Sequence, residues 1–297
     1  MNLIYILIEY KYRMIRNVMN HSVDVLSENI YELEGKCLGI KFKGWAIKST
    51  KTSISCATEI EKYTEELGIQ LPEMIFSNNH LSISNEGLGF NLTFNPIDAL
   101  KLVDKTSASC LKVAYSNQWL EERAHWEEVT ESTEKFDWTY TTSYCGTLTP
   151  GPKCTTSTVA EQIDLELLKL KEPILFYSDN VLFEDELGDN GSAMLNVKIR
   201  VMPSGFFVLQ RFSLRVDNVI YRFCDTRVYH RFGTNFLLRE YSSRECPYDI
   251  VEKELNVQTT IGQTEDKSYL ADMNAAYNVV CRFQSPSNVL KTTKVSW

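Results

Sequence analysis

From Val197 to Phe223 the chain alternates apolar and polar residues with a period of two, and this run constrains the fold more than any other feature. Val197, Ile199 and Val201 alternate with Lys198 and Arg200, while Phe206, Val208, Phe212, Leu214 and Val216 share one parity that only Gln210 interrupts. Successive side chains of a strand point to opposite faces, so the run predicts consecutive antiparallel strands with one greasy and one charged face. Asp217-Asn218 reads as a turn, after which Val219, Tyr221 and Phe223 continue the apolar parity. Upstream, Ile174 to Phe176 and Val181 to Phe183 read as further strands leading into the acidic turn Glu184-Asp185-Glu186. The expected class is α+β, largely antiparallel sheets with short flanking helices around a single core domain.

A chain of 297 residues that is 43% hydrophobic can bury a large core without covalent staples. Its eight cysteines are dispersed with no CxxC pair, and its four histidines are scattered, so no zinc site is expected. Dispersed free thiols suit a reducing compartment, here the cytoplasm with the nucleus as a second location. The apolar run Leu3 to Ile8 is too short to span a bilayer and is followed by Glu9, Lys11 and Arg13, so no membrane role is expected.

The net charge of −8 argues against nucleic acid as a partner. Between Val197 and Arg244, however, nine basic residues face three acidic ones, a surplus of six that leaves −14 for the rest of the chain. A basic sheet on an acidic protein fits an acidic or carboxylate-bearing partner. It equally fits long side chains that cover the sheet and pair with the acidic run Trp119 to Asp137.

Residues 1–40 read as an extension, 41–246 as the domain and 247–297 as a flexible tail with a short helix near Tyr269 to Val279. Ile60, Tyr63 and Leu67 mark a helix ended by Gly68, Leu81 to Phe94 a hairpin, and Asn95-Pro96 the start of a helix carrying Asp98. Strands are expected at Cys110 to Tyr115 and over Trp138, Tyr140, Thr142 and Tyr144, with a helix up to Trp126 between them. The Thr158 and Glu161 spacing predicts a capped helix running to Leu170.

Three groupings invite a chemical reading. Glu184, Asp185, Glu186 and Asp189 supply oxygen ligands for a hard cation, which makes a metal-dependent hydrolase the alternative function. They lack calcium-loop spacing, and neighbours on a strand diverge. Cys224 with His230 suggests a thiol and base, and Asp225, Arg227 and His230 a charged triad. No nucleophile elbow, phosphate loop or metal motif accompanies either, so neither catalysis nor a cofactor or metal is expected.

The strings LPEMIF (71–76), NPIDAL (95–100), FDWTYTTSYCGTL (136–148), LFEDELGDNG (182–191), VKIRVMPSGFFVLQRFSLRVDNV (197–219), DTRVYH (225–230) and LREYSSRE (238–245) occur in order. Together they closely resemble the TIPRL family, the Tip-forty-one-like regulators of TOR signalling, across Gly44 to Glu245. The resemblance implies a non-catalytic protein that binds catalytic subunits of type 2A-like protein phosphatases (types 2A, 4 and 6) by their C-terminal tail. It also implies the alpha-four (Tap-forty-two) adaptor as a companion in the same complex. The family's partner-binding positions fall on Asp98, Ile163, Phe223 and Asp225. Phe223 and Cys224 stand where the family usually has Met and Asn. From the basic parity of the strands we expect Arg211, Arg215 or Arg222 to receive an acidic tail or its carboxylate.

Overall fold

The computed structural model describes residues 30–33, 37–106, 136–259 and 268–297. The alternating block forms a meander of long strands, β9 (Phe176–Asp185), β10 (Gly191–Met202), β11 (Gly205–Val216), β12 (Ile220–Arg231) and β13 (Phe236–Pro247). Gly205 opens β11 beside β12 so closely that an added Cβ would lie 2.2 Å from the His230 carbonyl oxygen. The meander belongs to an eight-stranded sheet completed by β4 (Met74–Ile75) on one side and β14 (Val289–Ser296) with β8 (Thr155–Val159) on the other. A second, six-stranded sheet contains β1 (Ile30–Leu33), β2 (Cys37–Phe42), β3 (Trp45–Thr50), β5 (His80–Asn85), β6 (Phe90–Phe94) and β7 (Thr147–Thr149). The two share one apolar core, in which Ile47, Ile83, Leu92 and Phe94 join Val197, Phe206, Phe212 and Leu214. Trp45 meets Phe206 edge-on across it, and the Ser49 and Ser178 hydroxyls bond at 2.7 Å. The α+β class and single core therefore hold.

Local signals hold where chemistry closes within a few residues. Helix α1 (Ala57–Leu67) ends at Gly68 in the left-handed conformation, φ 64°. In α2 (Pro96–Leu100) Asn95 accepts the Asp98 N–H and Pro96 takes the first turn, as its fixed φ favours. The Leu81 to Phe94 hairpin forms as β5 and β6.

Other expectations fail for tertiary reasons. Residues 138–144 form no strand: Asp137 Oδ1 accepts from Thr139, and Thr142 donates to the Ala99 carbonyl, so side chains replace the ladder while Tyr140 and Tyr144 stay buried. Thr158 caps no helix; it lies in β8, pairing with β14, and only the short helix α3 (Leu165–Leu168) follows, capped by Asp164. The expected strand at 110–115 and helix to Trp126 lie outside the described residues.

The expected tail is built into the fold. It carries α4 (Tyr248–Thr259), a 3-10 turn (Ser268–Ala271), α5 (Met273–Arg282) and β14, which lies between β13 and β8. Among the described residues no helix is long and apolar enough to cross a membrane.

Candidate functional site

The register between β11 and β12 decides which side chains meet. Val216 pairs with Ile220, so the turn spans three residues, Asp217 to Val219, with Asn218 at φ 61°. A two-residue turn would have kept Tyr221 and Phe223 on the core face. The extra residue turns every β12 side chain over. Cys224, Val228 and His230 therefore face the core with Phe206 and Phe212, and Tyr221, Phe223, Asp225, Arg227 and Tyr229 lie on the outer face.

Two satellite clusters cover that outer face. At one end Tyr221, Phe223 and Cys246 pack beneath Tyr248, Val251, Ala276, Val279 and Val280 of α4 and α5. At the other, Ile163 joins Tyr229 and Leu238, with Phe207 and Leu167 against them. The Ile163 N–H donates to the Glu240 carboxylate, whose residue pairs with Arg227 in the β12 to β13 register.

Between the clusters lies a charged knot. Arg211 donates from Nε and Nη2 to the two carboxylate oxygens of Asp225 at 2.7 and 2.8 Å, a bidentate pair on neighbouring strands. Tyr277, from α5, donates its hydroxyl to Asp225 at 3.0 Å and accepts from Arg227 Nη2 at 2.9 Å. The Arg211 guanidinium lies 3.6 Å from the Tyr277 ring centroid. Burial alone would lower the Arg211 pKa; the bonds to Asp225 reverse this and raise it. Burial pushes the Tyr277 phenol up, so it remains a donor. Asp225 is 1% exposed, Arg211 16% and Arg227 25%. Glu240 stands opposite Arg227 on β13, so two carboxylates accompany the two guanidiniums, and Arg227 is the more exposed of the two cations.

The expected site residues thus divide. Ile163, Phe223, Asp225 and Arg211 share the outer face. Arg215 is on it too, at the far end, paired with Asp217 at 2.8 Å and bonded to the Leu270 carbonyl. Arg222 falls on the opposite face through the same register change, bound to Glu245 and Thr141. Asp98 sits by the other sheet, where it accepts from Asn95, Lys101 and Thr147. Burial pushes its pKa up, but these bonds more than offset that and hold it below the usual carboxylate value. Tyr277 was missed, and its signal was the amphipathic spacing of Ala276, Val279 and Val280 that surrounds it.

Of the groupings that invited a chemical reading, only Asp225 and Arg227 meet, in the knot, with His230 on the opposite face of β12. Cys224 and His230 both face the core six residues apart on one strand, about 20 Å by strand rise. Burial raises the Cys224 pKa, and His230 is walled by Trp45, Phe206, Phe232 and Trp297. Asp185 is buried and accepts from the Glu73 and Leu187 N–H groups, away from Glu184 on the other face of β9. Among the described residues no group of three or more His, Cys, Asp or Glu side chains is placed to hold a metal ion.

Residues 74–252, from β4 into α4, match the TIP41-like family. The chain belongs to the TIP41-like family. It is 42% identical over 224 residues to a TIP41-like protein of Dictyostelium discoideum, covering 72% of this chain and 81% of that one. It is 45% identical over 206 residues to the human TIP41-like protein, covering 69% and 75%. It is 37% identical over 253 residues to the type 2A phosphatase activator TIP41 of Saccharomyces cerevisiae, covering 79% and 69%. The TIP41-like match contains Arg211, Asp225 and Arg227, whereas Tyr277, which closes the knot, lies beyond it.

Proposed function

We propose that this TIP41-like protein is a non-catalytic regulator in TOR signalling that binds catalytic subunits of type 2A-like protein phosphatases (2A, 4 and 6). The observation that carries this reading is family membership together with two fungal relatives, 37% and 32% identical, that are named type 2A phosphatase activators. The outer face supports it physically. Arg227, a quarter exposed on the charged knot, is suited to a carboxylate such as that ending the subunit's C-terminal tail, and the buried Ile163 and Phe223 on either side are apolar anchors for a partner that uncovers them. Asp98, on the other sheet, belongs to a second contact in this reading. The alpha-four adaptor is a further member of the same complex, and the seven described cysteines, all free thiols, suit the cytoplasm and nucleus.

The test is native purification of the protein from its own cells. A type 2A-like catalytic subunit should co-elute, and removal of the subunit's last residues should weaken the complex. Absence of every such subunit from the complex would refute the reading.

A further inference from the structure

Phe223 and Asp225 are each 1% exposed, so no partner can touch them in this conformation. What hides them is α5, a helix from the segment whose sequence reads as a tail. Its attachment has two parts with different energetic character. One is the apolar seat of Tyr221, Phe223 and Cys246, which forms a cluster separate from the main core. The other is the Tyr277 hydroxyl, which reaches over Arg211 to Asp225. A buried charge network of this kind contributes little net stability compared with apolar packing, yet it specifies one docked position. A helix with its own satellite cluster and such a latch can open without unfolding the sheet beneath.

We infer that α5 is an autoinhibitory lid, latched by Tyr277 on Asp225, and that a phosphatase subunit must displace it to reach Phe223 and Asp225. The inference rests on the reading that the subunit docks on this outer face. The closed lid makes only a fraction of molecules competent to bind, and the observed affinity falls by that fraction. The seat defines what replaces α5: an amphipathic segment with apolar residues at helical spacing, with a group that accepts from Arg227 and one that donates to Asp225 once Tyr277 leaves.

The experiment uses the full chain and a purified type 2A catalytic subunit, reading affinity and amide hydrogen exchange together. Tyr277→Phe removes the latch hydroxyl and keeps the ring; Ala276→Asp places a charge in the apolar seat. Both should speed exchange over 273–282 while leaving β10 and β11 protected. Both should also tighten subunit binding, by about five- to tenfold. Saturating the unaltered protein with subunit should likewise release protection over 273–282. Affinity that is unchanged or weaker in Tyr277→Phe, with exchange over 273–282 raised, overturns the lid. So does a gain of protection there on binding, which would make α5 part of the interface. If Ala276→Asp unfolds the sheet, Tyr277→Phe decides alone. Binding by none of the forms overturns the phosphatase reading itself, and the competition with it.

Discussion

The two faces of the large sheet are built on different principles. The core-facing side carries Phe206, Val208, Phe212 and Leu214, all 0% exposed beneath the six-stranded sheet in one continuous cluster. The outer side is divided into two small apolar clusters by a buried ion-paired knot. Contiguous apolar burial stabilises without direction, whereas the knot demands particular partners in particular places. The first face holds the fold together; the second is where a segment can be exchanged for another.

This contrast breaks if the largest truncations behave alike. Phe212→Ala should cost about 4 kcal/mol and lower the denaturation midpoint of the whole molecule. Phe223→Ala removes a ring of the same size from the outer face, and its main effect should be lost hydrogen-exchange protection in α4 and α5, with the sheet still protected. Equal global destabilisation by both would mean that the outer cluster is part of one cooperative core. The next effect is electrostatic. Asp225→Ala leaves Arg211 and Arg227 without their carboxylate and should cost roughly 3 kcal/mol in chemical denaturation. Replacing Arg211 with Met as well should recover part of that loss, since a single guanidinium, the more exposed one, then remains uncompensated.

The smallest effect sharpens the comparison through pH. Burial holds the His230 imidazole below its ordinary pKa, although its bond to the Phe236 carbonyl pulls the other way. The native state therefore resists a proton that the unfolded chain accepts, so stability falls as pH drops below about 6.5. The slope from this one group is at most about 1.4 kcal/mol per pH unit. His230→Phe should flatten it in urea melts between pH 7 and pH 5, and an unchanged slope would place the titrating group elsewhere.

How much was legible depends on the range over which each signal acts. Gly68 and the Asn95-Pro96 pair are read correctly because their chemistry closes within one turn. The strands β10 and β11 are read correctly because alternation is a property of each strand alone, whereas Phe176–Asp185 is one continuous strand that takes in Glu184 and Asp185, the residues expected to turn, because β10 pairs with them. Trp138 to Tyr144 alternates as convincingly, yet its hydrogen bonds go to Asp137 and Ala99, which periodicity does not see. Thr158 has the spacing of a cap, but β14 recruits it as an edge-strand residue. Of the site, Arg211 and Asp225 were identified separately, and their bidentate pairing required the register.

What the sequence by itself determined is the material: an antiparallel meander, its helix caps, a basic block on an acidic chain, and membership of a family. Only the tertiary structure decided which residues face each other. The turn Asp217 to Val219 is one residue longer than the dipeptide suggests, and a period of two is blind to such a shift, although it moves Tyr221 and Phe223 to the opposite face. Exposed there, these rings need a cover. The segment after Pro247 is too polar to declare itself a core element, yet it folds onto them because burying two aromatic faces gives its few apolar residues a place to go.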